Sequence, residues 1–280
     1  EFSYFCLMKT LSLWFNRYVN SSVHVAFAVC SLVGVTCLEF DISSTISLLG
    51  FVFFATITGY NFVKYAAVFI KNYHDLYFYL KVTQLVSVIA MLYFSFQLSW
   101  AVLAFFGSFA ILTFLYAIPL LKNKNLRNYT GIKITIVAFV WAGVTVLMPI
   151  VNEGVLLNTV MYLTFFQRFL LVFVLTLPFE IRDLQYDDST LETLPQRVGV
   201  KKTKIIGVVM LVLVLLIELF KDSITLNYLV SLGIISIVLL VFLLNANKKQ
   251  SKFFSSFWVE SIPVFWFLIL LFLNTYLAIS

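Results

Sequence analysis

Three acidic side chains in the second half of the chain have the spacing of groups that act together. Glu180, Asp183 and Asp187 are three and four residues apart, and on a helix such positions share one face. Like charges on one face repel each other, and a divalent cation would relieve that repulsion. Mg²⁺ typically joins one or two carboxylates to substrate phosphates. The spacing therefore indicates a metal or phosphate site, and the alternative is a solvated loop after a helix end.

The amino-acid composition indicates that membrane-spanning helices position these side chains. The chain has 280 residues, of which 62% are hydrophobic and 11% charged, whereas a soluble domain carries about 25% charged residues. A membrane-spanning helix needs about 20 apolar residues. Runs that meet this need lie at 19–38, 46–70, 76–96, 99–121, 132–151, 155–179, 204–220, 224–244 and 261–279. We therefore expect an all-α integral membrane protein of about nine spans in a single domain over 1–280, in which residues 1–18 form a cytoplasmic N-terminal segment.

The basic residues predict which loops face the cytoplasm. All but two of the 19 lysines and arginines fall in alternate loops, the exceptions being Arg168 and Lys221. The positive-inside rule then places the N-terminus in the cytoplasm, and we expect a bacterial inner membrane as the location. The net charge of +6 is explained by topology and anionic lipid, so no nucleic-acid partner is expected.

The acidic segment also carries a family resemblance. Its pattern resembles the second aspartate-rich motif of the UbiA superfamily of intramembrane prenyltransferases. The matching residues are Glu180, Asp183, Asp187, Thr193, Leu194, Pro195 and Gly199. A further match is Tyr116-Ala-Ile-Pro119 followed by Lys122, after the fourth run. Nine spans with this motif after the sixth are similar to the layout of the family.

The family's first motif, Asn-Asp-x-x-Asp at the end of the second span, is altered here. Asn61 matches, but Phe62 and Tyr65 stand where the family has aspartates. Lys64 lies one turn from Asn61, and Lys71 lies further along the same helix. These lysines could replace one metal ion by meeting phosphate oxygens directly, since Lys binds phosphate as a point charge. The alternatives are a non-catalytic relative, or substitute ligands at His74 and Asp75.

One charge falls inside a span. Arg168 lies near the middle of the sixth run, where a charge is costly and usually faces the bundle interior or a cavity. We expect it to pair with a carboxylate or to contact a polar acceptor. His24, on the first span, is expected to be a hydrogen-bonded packing residue.

The resemblance implies a transferase reaction in which a prenyl group leaves an isoprenyl diphosphate for a lipid-soluble or aromatic acceptor, with Mg²⁺. On this basis the expected catalytic residues are Asp183, Asp187 and Asn61, and the expected metal ligands are Asp183, Asp187 and Glu180. The expected substrate-binding residues are Lys64, Lys122, Tyr116, Arg168 and Arg182. Two other classes stay open: a non-catalytic membrane protein that binds an isoprenoid lipid or a partner subunit, and a small transporter.

Overall fold

The described part of the chain is built from helices. The computed structural model describes residues 12–71, 76–117, 132–186, 193–222 and 225–276, with only the backbone at 66–71, 116 and 117. Its helices are α1 Ser12–Asn20, α2 Val23–Glu39, α3 Ile46–Lys71, α4 Phe78–Ser95, α5 Trp100–Ala117, α6 Ile132–Asn152, α7 Thr159–Asp183, α8 Leu194–Glu218, α9 Leu226–Asn245 and α10 Phe254–Tyr276. The prediction of an all-α fold is confirmed over these residues.

The predicted number of spans is not confirmed. Each of the nine apolar runs coincides with a helix, but in the described residues only six helices are long and apolar enough to cross a membrane. A seventh is obtained if α1 and α2 together form one bent span. The apolar part of α5, Trp100–Leu115, is short. Helix α8 carries four basic residues in its first half, which lowers its hydropathy.

Prolines explain the irregular turns within the long helices. Proline lacks an N–H group, and its ring collides with the carbonyl four residues earlier. In α6, Pro149 follows a π-helical segment at Gly143–Leu147, and in α10 Pro263 follows another at Phe254–Val259. Pro178 interrupts the hydrogen-bond ladder of α7 two residues before Glu180. The last turn of α7 is therefore positioned by packing as well as by its own backbone.

Helices α2, α6 and α7 form the centre of the bundle. Of the most apolar stretch of each helix, 67% is buried in α6 and 61% in α7, against 11% in α4. Helix α7 packs between α6 and α8, and α2 packs between α3 and α10. The motif-bearing end of α7 is thus held by the best-packed helices, while α4 packs on α3 and leaves most of its apolar surface exposed.

The first span is broken where it meets the rest of the bundle. Helices α1 and α2 form an angle of 57°, and Ser22 at the junction has a φ of 63°. His24 follows directly: its Nδ1 lies 2.8 Å from the Tyr18 hydroxyl and its Nε2 lies 3.0 Å from the Phe257 carbonyl. The predicted packing role of His24 is confirmed. These bonds fix the bend against α10.

Candidate active site

The acidic end of α7 is neutralised by basic side chains. Glu180 is 3% exposed, and its Oε1 lies 2.7 Å from Lys133 Nζ at the start of α6. Asp183, one turn later, accepts hydrogen bonds from Arg182 Nε and Nη2, both at 2.8 Å. Lys133 Nζ also lies 4.0 Å from Asp183 Oδ2. The two acids do share one face, as their spacing predicts, and two cations lie beside them.

Several predicted site residues lie outside the described part of the chain or have no described side chain. They are Asp187, Lys122, Tyr116, Lys71, His74 and Asp75. Among the described residues, no group of three acidic, histidine or cysteine side chains could hold a metal ion. Asp187 is the third acid of the predicted set, so the predicted ligand set is described only at Glu180 and Asp183.

The remaining matched residues build the start of α8. Thr193 is the N-cap, and its N–H donates to Gln196 Oε1 at 2.8 Å. Pro195 occupies the first turn, where a missing N–H does no harm. Gly199 has φ 78° and ψ 157°, a region that is essentially restricted to glycine. These three positions are therefore explained by backbone geometry alone.

The altered first motif forms a second polar surface on α3. Ser22 Oγ donates to Asn61 Oδ1 at 2.9 Å, and Lys64 Nζ donates to Ser22 Oγ at 3.1 Å. Asn61 is 1% exposed, and its Nδ2 has no hydrogen-bond partner among the described residues. Lys64 is surrounded by protein but accessible. The bend between α1 and α2 thus supplies the group that orients Asn61 and Lys64.

The two positions that have lost their acids have other roles. Phe62 stacks on Phe114 of α5, with ring centroids 6.0 Å apart. The Tyr65 hydroxyl donates to the Asn20 carbonyl at 3.1 Å, which ties α3 to the end of α1. Neither side chain is a ligand for a divalent cation, since hard cations take oxygen ligands of the carboxylate, carbonyl or water type. At these two described positions, α3 therefore supplies no carboxylate to a metal site.

A further lysine reaches this surface from the other end of the chain. Lys252, just before α10, donates to Asn20 Oδ1 at 3.3 Å. Lys64 interacts electrostatically with Lys252, with Arg182 and with Glu260. Lys64 bonds to Ser22 and Lys252 bonds to Asn20, so both lysines reach the bend between α1 and α2 and lie at the same end of the bundle.

The segment before α10 is also tied to the acidic end of α7. Gln250 Nε2 donates to the Pro178 carbonyl at 2.9 Å and contacts Ser255 Oγ. Gln185 Nε2 donates to the Lys248 carbonyl at 2.6 Å. These bonds hold Lys252 at a fixed place relative to the acids.

We call this end the basic mouth, and define it as Lys64, Lys133, Arg182 and Lys252 with Glu180, Asp183 and Glu260. Sequence reasoning selected Lys64, Arg182, Glu180 and Asp183 as site residues but did not select Lys133, Lys252 or Ser22. In the sequence, Lys133 and Lys252 are simply two of the basic residues that predict the cytoplasmic loops. Their pairing depends on which helix ends meet, and no spacing along the chain encodes that.

Arg168 lies in a different region of α7. Glu180 follows it by 12 residues, which is about 18 Å along a helix. Its Nη1 donates to the Leu32 carbonyl at 2.9 Å and its Nη2 lies 3.4 Å from Thr36 Oγ1. Its guanidinium lies 4.7 Å from the Trp266 ring. These contacts bind α7 to α2 and α10 in the interior, so the described partners of Arg168 are a carbonyl, a hydroxyl and an aromatic ring rather than a carboxylate.

Near Arg168 is a second ionic group, which we call the distal cluster: Glu39, Gln167, Glu218, Lys221 and Tyr228. Lys221 Nζ lies 2.6 Å from Glu39 Oε1 and 2.7 Å from Glu218 Oε2. Gln167 Nε2 donates to Glu218 at 3.0 Å, and Gln167 Oε1 accepts from Lys221 and from the Tyr228 hydroxyl, both at 3.2 Å. This cluster joins α2, α7, α8 and α9 at the end of the bundle away from the mouth.

An apolar cavity of about 340 Å³ opens beside the mouth, between α2, α3, α4, α5 and α6. Tyr60 lines it, and Lys64 Nζ lies 5.9 Å from the centre of the Tyr60 ring. The Tyr60 hydroxyl accepts a hydrogen bond from Trp141 Nε1 at 2.9 Å. A molecule in this cavity would therefore present one end to Lys64.

Comparison with known proteins identifies the fold. A UbiA homologue from Archaeoglobus fulgidus bound to GPP and Mg²⁺ matches with a TM-score of 0.58 and 12% identity, over 91% of this chain and 97% of that one. The same homologue bound to DMAPP and Mg²⁺ matches at 0.58 and 10%, over 93% and 98%. Digeranylgeranylglyceryl phosphate synthase matches at 0.56 and 15%, over 91% and 96%. The chain therefore has the UbiA fold, as its motifs predict.

The sequence itself gives no such match. No family model matches it, and comparison with curated proteins finds no significant similarity.

Proposed function

We propose that the protein is a divergent UbiA-type prenyltransferase, which transfers a prenyl group from an isoprenyl diphosphate to a lipid-soluble or aromatic acceptor. The observation that carries the proposal is the basic mouth. It combines the acids of the second motif with four cations at one end of a bundle that has the UbiA fold. The neighbouring apolar cavity would let an apolar substrate meet the charged groups.

The cations would bind and stabilise the diphosphate. Lys64, Lys252 and Arg182 would meet its oxygens, the lysines as point charges and the arginine as a planar donor. In the reaction, the bond between the allylic carbon and the diphosphate oxygen breaks, and the electron pair leaves with the diphosphate. The acceptor forms the new bond to that carbon and releases a proton. Preorganised positive charge at the leaving oxygens lowers the barrier of this step.

The acids of the second motif suit one Mg²⁺ ion. Asp183 and Asp187, with Glu180, would hold it, since two carboxylates and substrate phosphates form a usual Mg²⁺ environment. When bound, the ion would supply further neutralisation of the leaving diphosphate. On α3, by contrast, Phe62 and Tyr65 provide no carboxylate, so Lys64 would take the place of a second ion. Asn61 would assist by hydrogen bonding through its unpartnered Nδ2.

Other parts of the proposal rest on the sequence. Tyr116, in the last turn of α5, and Lys122, which follows that helix in the sequence, would contact the diphosphate. The mouth would face the cytoplasm of a bacterial inner membrane, with the N-terminus on the same side, because the basic loops fall on this end.

The test uses purified protein in lipid vesicles with tritiated geranyl diphosphate, Mg²⁺ and a membrane lipid extract as the source of acceptor. We expect diphosphate release above that of empty vesicles, and a fall of at least about tenfold in Asp183→Asn, which removes a charge that must hold the ion. Lys201→Met is the control, because Lys201 is an exposed lysine in the first half of α8 that is not one of the residues of the mouth. If the protein neither binds nor cleaves the diphosphate, the proposal is wrong.

A second candidate is a non-catalytic protein that binds an isoprenoid lipid or a partner subunit. It is favoured by the structural roles of Phe62 and Tyr65, and by Lys133, which already neutralises Glu180. It predicts that geranyl diphosphate binds without release. It also predicts that Asp183→Ala and Asp187→Ala leave the cellular function intact, whereas the transferase proposal predicts its loss.

A further inference from the structure

Two side chains of the altered first motif bond to the same hydroxyl in the bend between α1 and α2. Lys64 Nζ donates to Ser22 Oγ at 3.1 Å, and Ser22 Oγ donates to Asn61 Oδ1 at 2.9 Å. The direction of these bonds is fixed, because a protonated lysine can only donate and the hydroxyl has a single proton to give. Amides bind hard cations through their oxygen, and in Asn61 that oxygen is bonded to Ser22. The arrangement therefore holds a lysine in place and does not present a set of metal ligands.

The end of α1 holds a second lysine in a similar way. Lys252 Nζ donates to Asn20 Oδ1 at 3.3 Å, and the Asn20 carbonyl accepts from the Tyr65 hydroxyl at 3.1 Å. Tyr65 stands where the UbiA family has an aspartate, so a position expected to bind metal instead ties the bend to α3. Asn20 and Ser22 are two residues apart, so both lysines are held by one short segment.

The oxygens that hold these two lysines are neutral, in contrast to those around the other cations of the mouth. Among the described residues, no carboxylate oxygen lies within 4.0 Å of Nζ in Lys64 or Lys252. Lys133 and Arg182, by comparison, are paired with carboxylates at 2.7 and 2.8 Å. Glu260 acts on Lys64 without forming such a pair. Both lysines are exposed, so their positive charge is available to an anion.

Ser22 has a backbone conformation that is unusual for serine. Its φ is 63° and its ψ is 13°, and the residue is 0% exposed. This left-handed region is one that glycine adopts readily and that other residues adopt at a cost. A glycine would relieve the strain but would lack the hydroxyl. Strain of this kind is found at functional sites, which agrees with a role for the Ser22 Oγ atom.

We propose that the bend positions Lys64 and Lys252 as a fixed pair of cations, and that this pair binds a diphosphate group without Mg²⁺. The proposal rests on the function proposed above. It divides the mouth into a metal-independent half, on α3 and before α10, and a half on α7 that suits Mg²⁺. Ser22 and Asn20 are positioning residues, because they act through the two lysines.

The test measures filter binding of radiolabelled inorganic diphosphate to purified protein in detergent, with EDTA and no added Mg²⁺. We expect saturable binding by the unaltered protein. In Ser22→Gly, the Lys64 side chain must become ordered when the anion binds. Ordering one long side chain weakens binding about three- to tenfold, and we expect a loss of this size. Asn20→Ala should give a similar loss through Lys252.

Combined variants separate positioning from a general structural effect. If Ser22 acts through Lys64, adding Ser22→Gly to Lys64→Met should weaken binding no further. For the same reason, Asn20→Ala should have no effect once Lys252→Met is present. A general loss of structure would instead weaken binding by the same factor in every background, because effects of independent sites add.

The matched control is Ser21→Ala, which alters the other serine of the bend. Ser21 Oγ donates to the Tyr18 carbonyl of α1 at 3.1 Å and holds neither lysine, so this variant should bind diphosphate like the unaltered protein. Asn20→Ala provides an independent test if Ser22→Gly does not fold, since the Asn20 side chain is only half-buried.

Three results would overturn the proposal. The first is an absence of diphosphate binding in EDTA, whether or not Mg²⁺ restores it. The second is unchanged affinity in both Ser22→Gly and Asn20→Ala. The third is an equal loss from Ser22→Gly with and without Lys64→Met, which would make Ser22 merely structural. None of these measurements involves turnover, so they are distinguishable from a failure to release diphosphate from geranyl diphosphate, which would contradict the transferase activity alone.

Discussion

The basic mouth and the distal cluster are built from the same kinds of side chain but have opposite surroundings. In the mouth, the side chains of Lys133, Arg182 and Asp183 are 20–23% exposed. In the distal cluster, Lys221 and Glu218 are 2% exposed and Glu39 is 7% exposed. Apart from Glu180, which is 3% exposed, the ion-paired side chains of the mouth are open to a solute, whereas the distal cluster is enclosed by four helices.

The balance of charge differs as well. The described residues of the mouth bring together four positive and three negative side chains. In the distal cluster the two acids surround Lys221, and Arg168 is close enough to act on Tyr228. A buried group needs charges that cancel, whereas an open group with excess positive charge attracts an anion. Accessibility and imbalance, more than residue type, distinguish the mouth from the distal cluster.

Breaking the distal cluster should have the largest effect. Lys221→Met leaves Glu39 and Glu218 buried without their shared partner, and removing one member of a buried ion pair costs about 3–5 kcal/mol. We expect a large fall in the thermal unfolding temperature in detergent, measured by the fluorescence of the buried tryptophans. The Lys201→Met control should unfold like the unaltered protein, because exposed substitutions usually change stability by less than about 0.5 kcal/mol.

Adding Glu218→Gln to Lys221→Met should recover part of this loss, since it removes one of the two uncompensated charges. If Lys221→Met unfolds at the original temperature, the distal cluster does not stabilise the bundle, and the contrast with the mouth fails.

Breaking the mouth should instead affect binding. Lys64→Met removes a charged donor, and hydrogen bonds to charged groups contribute about 1.5–3 kcal/mol. We therefore expect geranyl diphosphate to bind roughly 10- to 100-fold more weakly, measured by filter binding of the tritiated compound. The unfolding temperature should change little, because the Lys64 side chain is accessible. Unchanged affinity would show that α3 does not contribute to the diphosphate site.

The smallest expected effect comes from a matched pair of glycines, one near each end of the bundle. Gly199 and Gly154 have φ of 78° and 74°, and a Cβ at either would meet no atom within 4 Å. Alanine at either position should cost about 1–2 kcal/mol through backbone strain alone. Thermal unfolding should report similar losses for both. Diphosphate release, measured in parallel, should fall further for Gly199→Ala, because Gly199 shapes the start of α8. Equal release by the two variants would show that the start of α8 does not contribute to the proposed active site.

The sequence predicts the helices and one wall of the mouth because both depend on local pattern. Hydropathy locates the nine helices α2 to α10, since a membrane span must be apolar along its length, but it does not predict α1. Spacing of three and four residues places Glu180 and Asp183 on one face of α7, as observed. The count of spans was less predictable. Helix α8 is charged and α5 is short, and packing rather than hydropathy determines where such helices lie.

The side of the mouth formed by α3 and the start of α10 could not be predicted from local pattern. Ser22 reaches Asn61, and Lys252 reaches Asn20, only because α1, α3 and α10 meet at one end. The partners of Arg168 were not predictable from the sequence either. Its charge faces the interior, as predicted, but it contacts the Leu32 carbonyl and the Trp266 ring. Neither a backbone carbonyl nor an aromatic ring is charged, so the sequence contains no complementary charge from which these partners of Arg168 could be predicted.

The contact between the bend after α1 and the start of α10 has a consequence for biosynthesis. His24 bonds to the Phe257 carbonyl across 233 positions, and Lys252 bonds to Asn20 across 232. Because α1 is synthesised before α10, these bonds can form only after the segment from Lys252 to Phe257 has been made. A chain that ends before this segment would lack both partners, so the bend after α1 would not be held in place by these bonds.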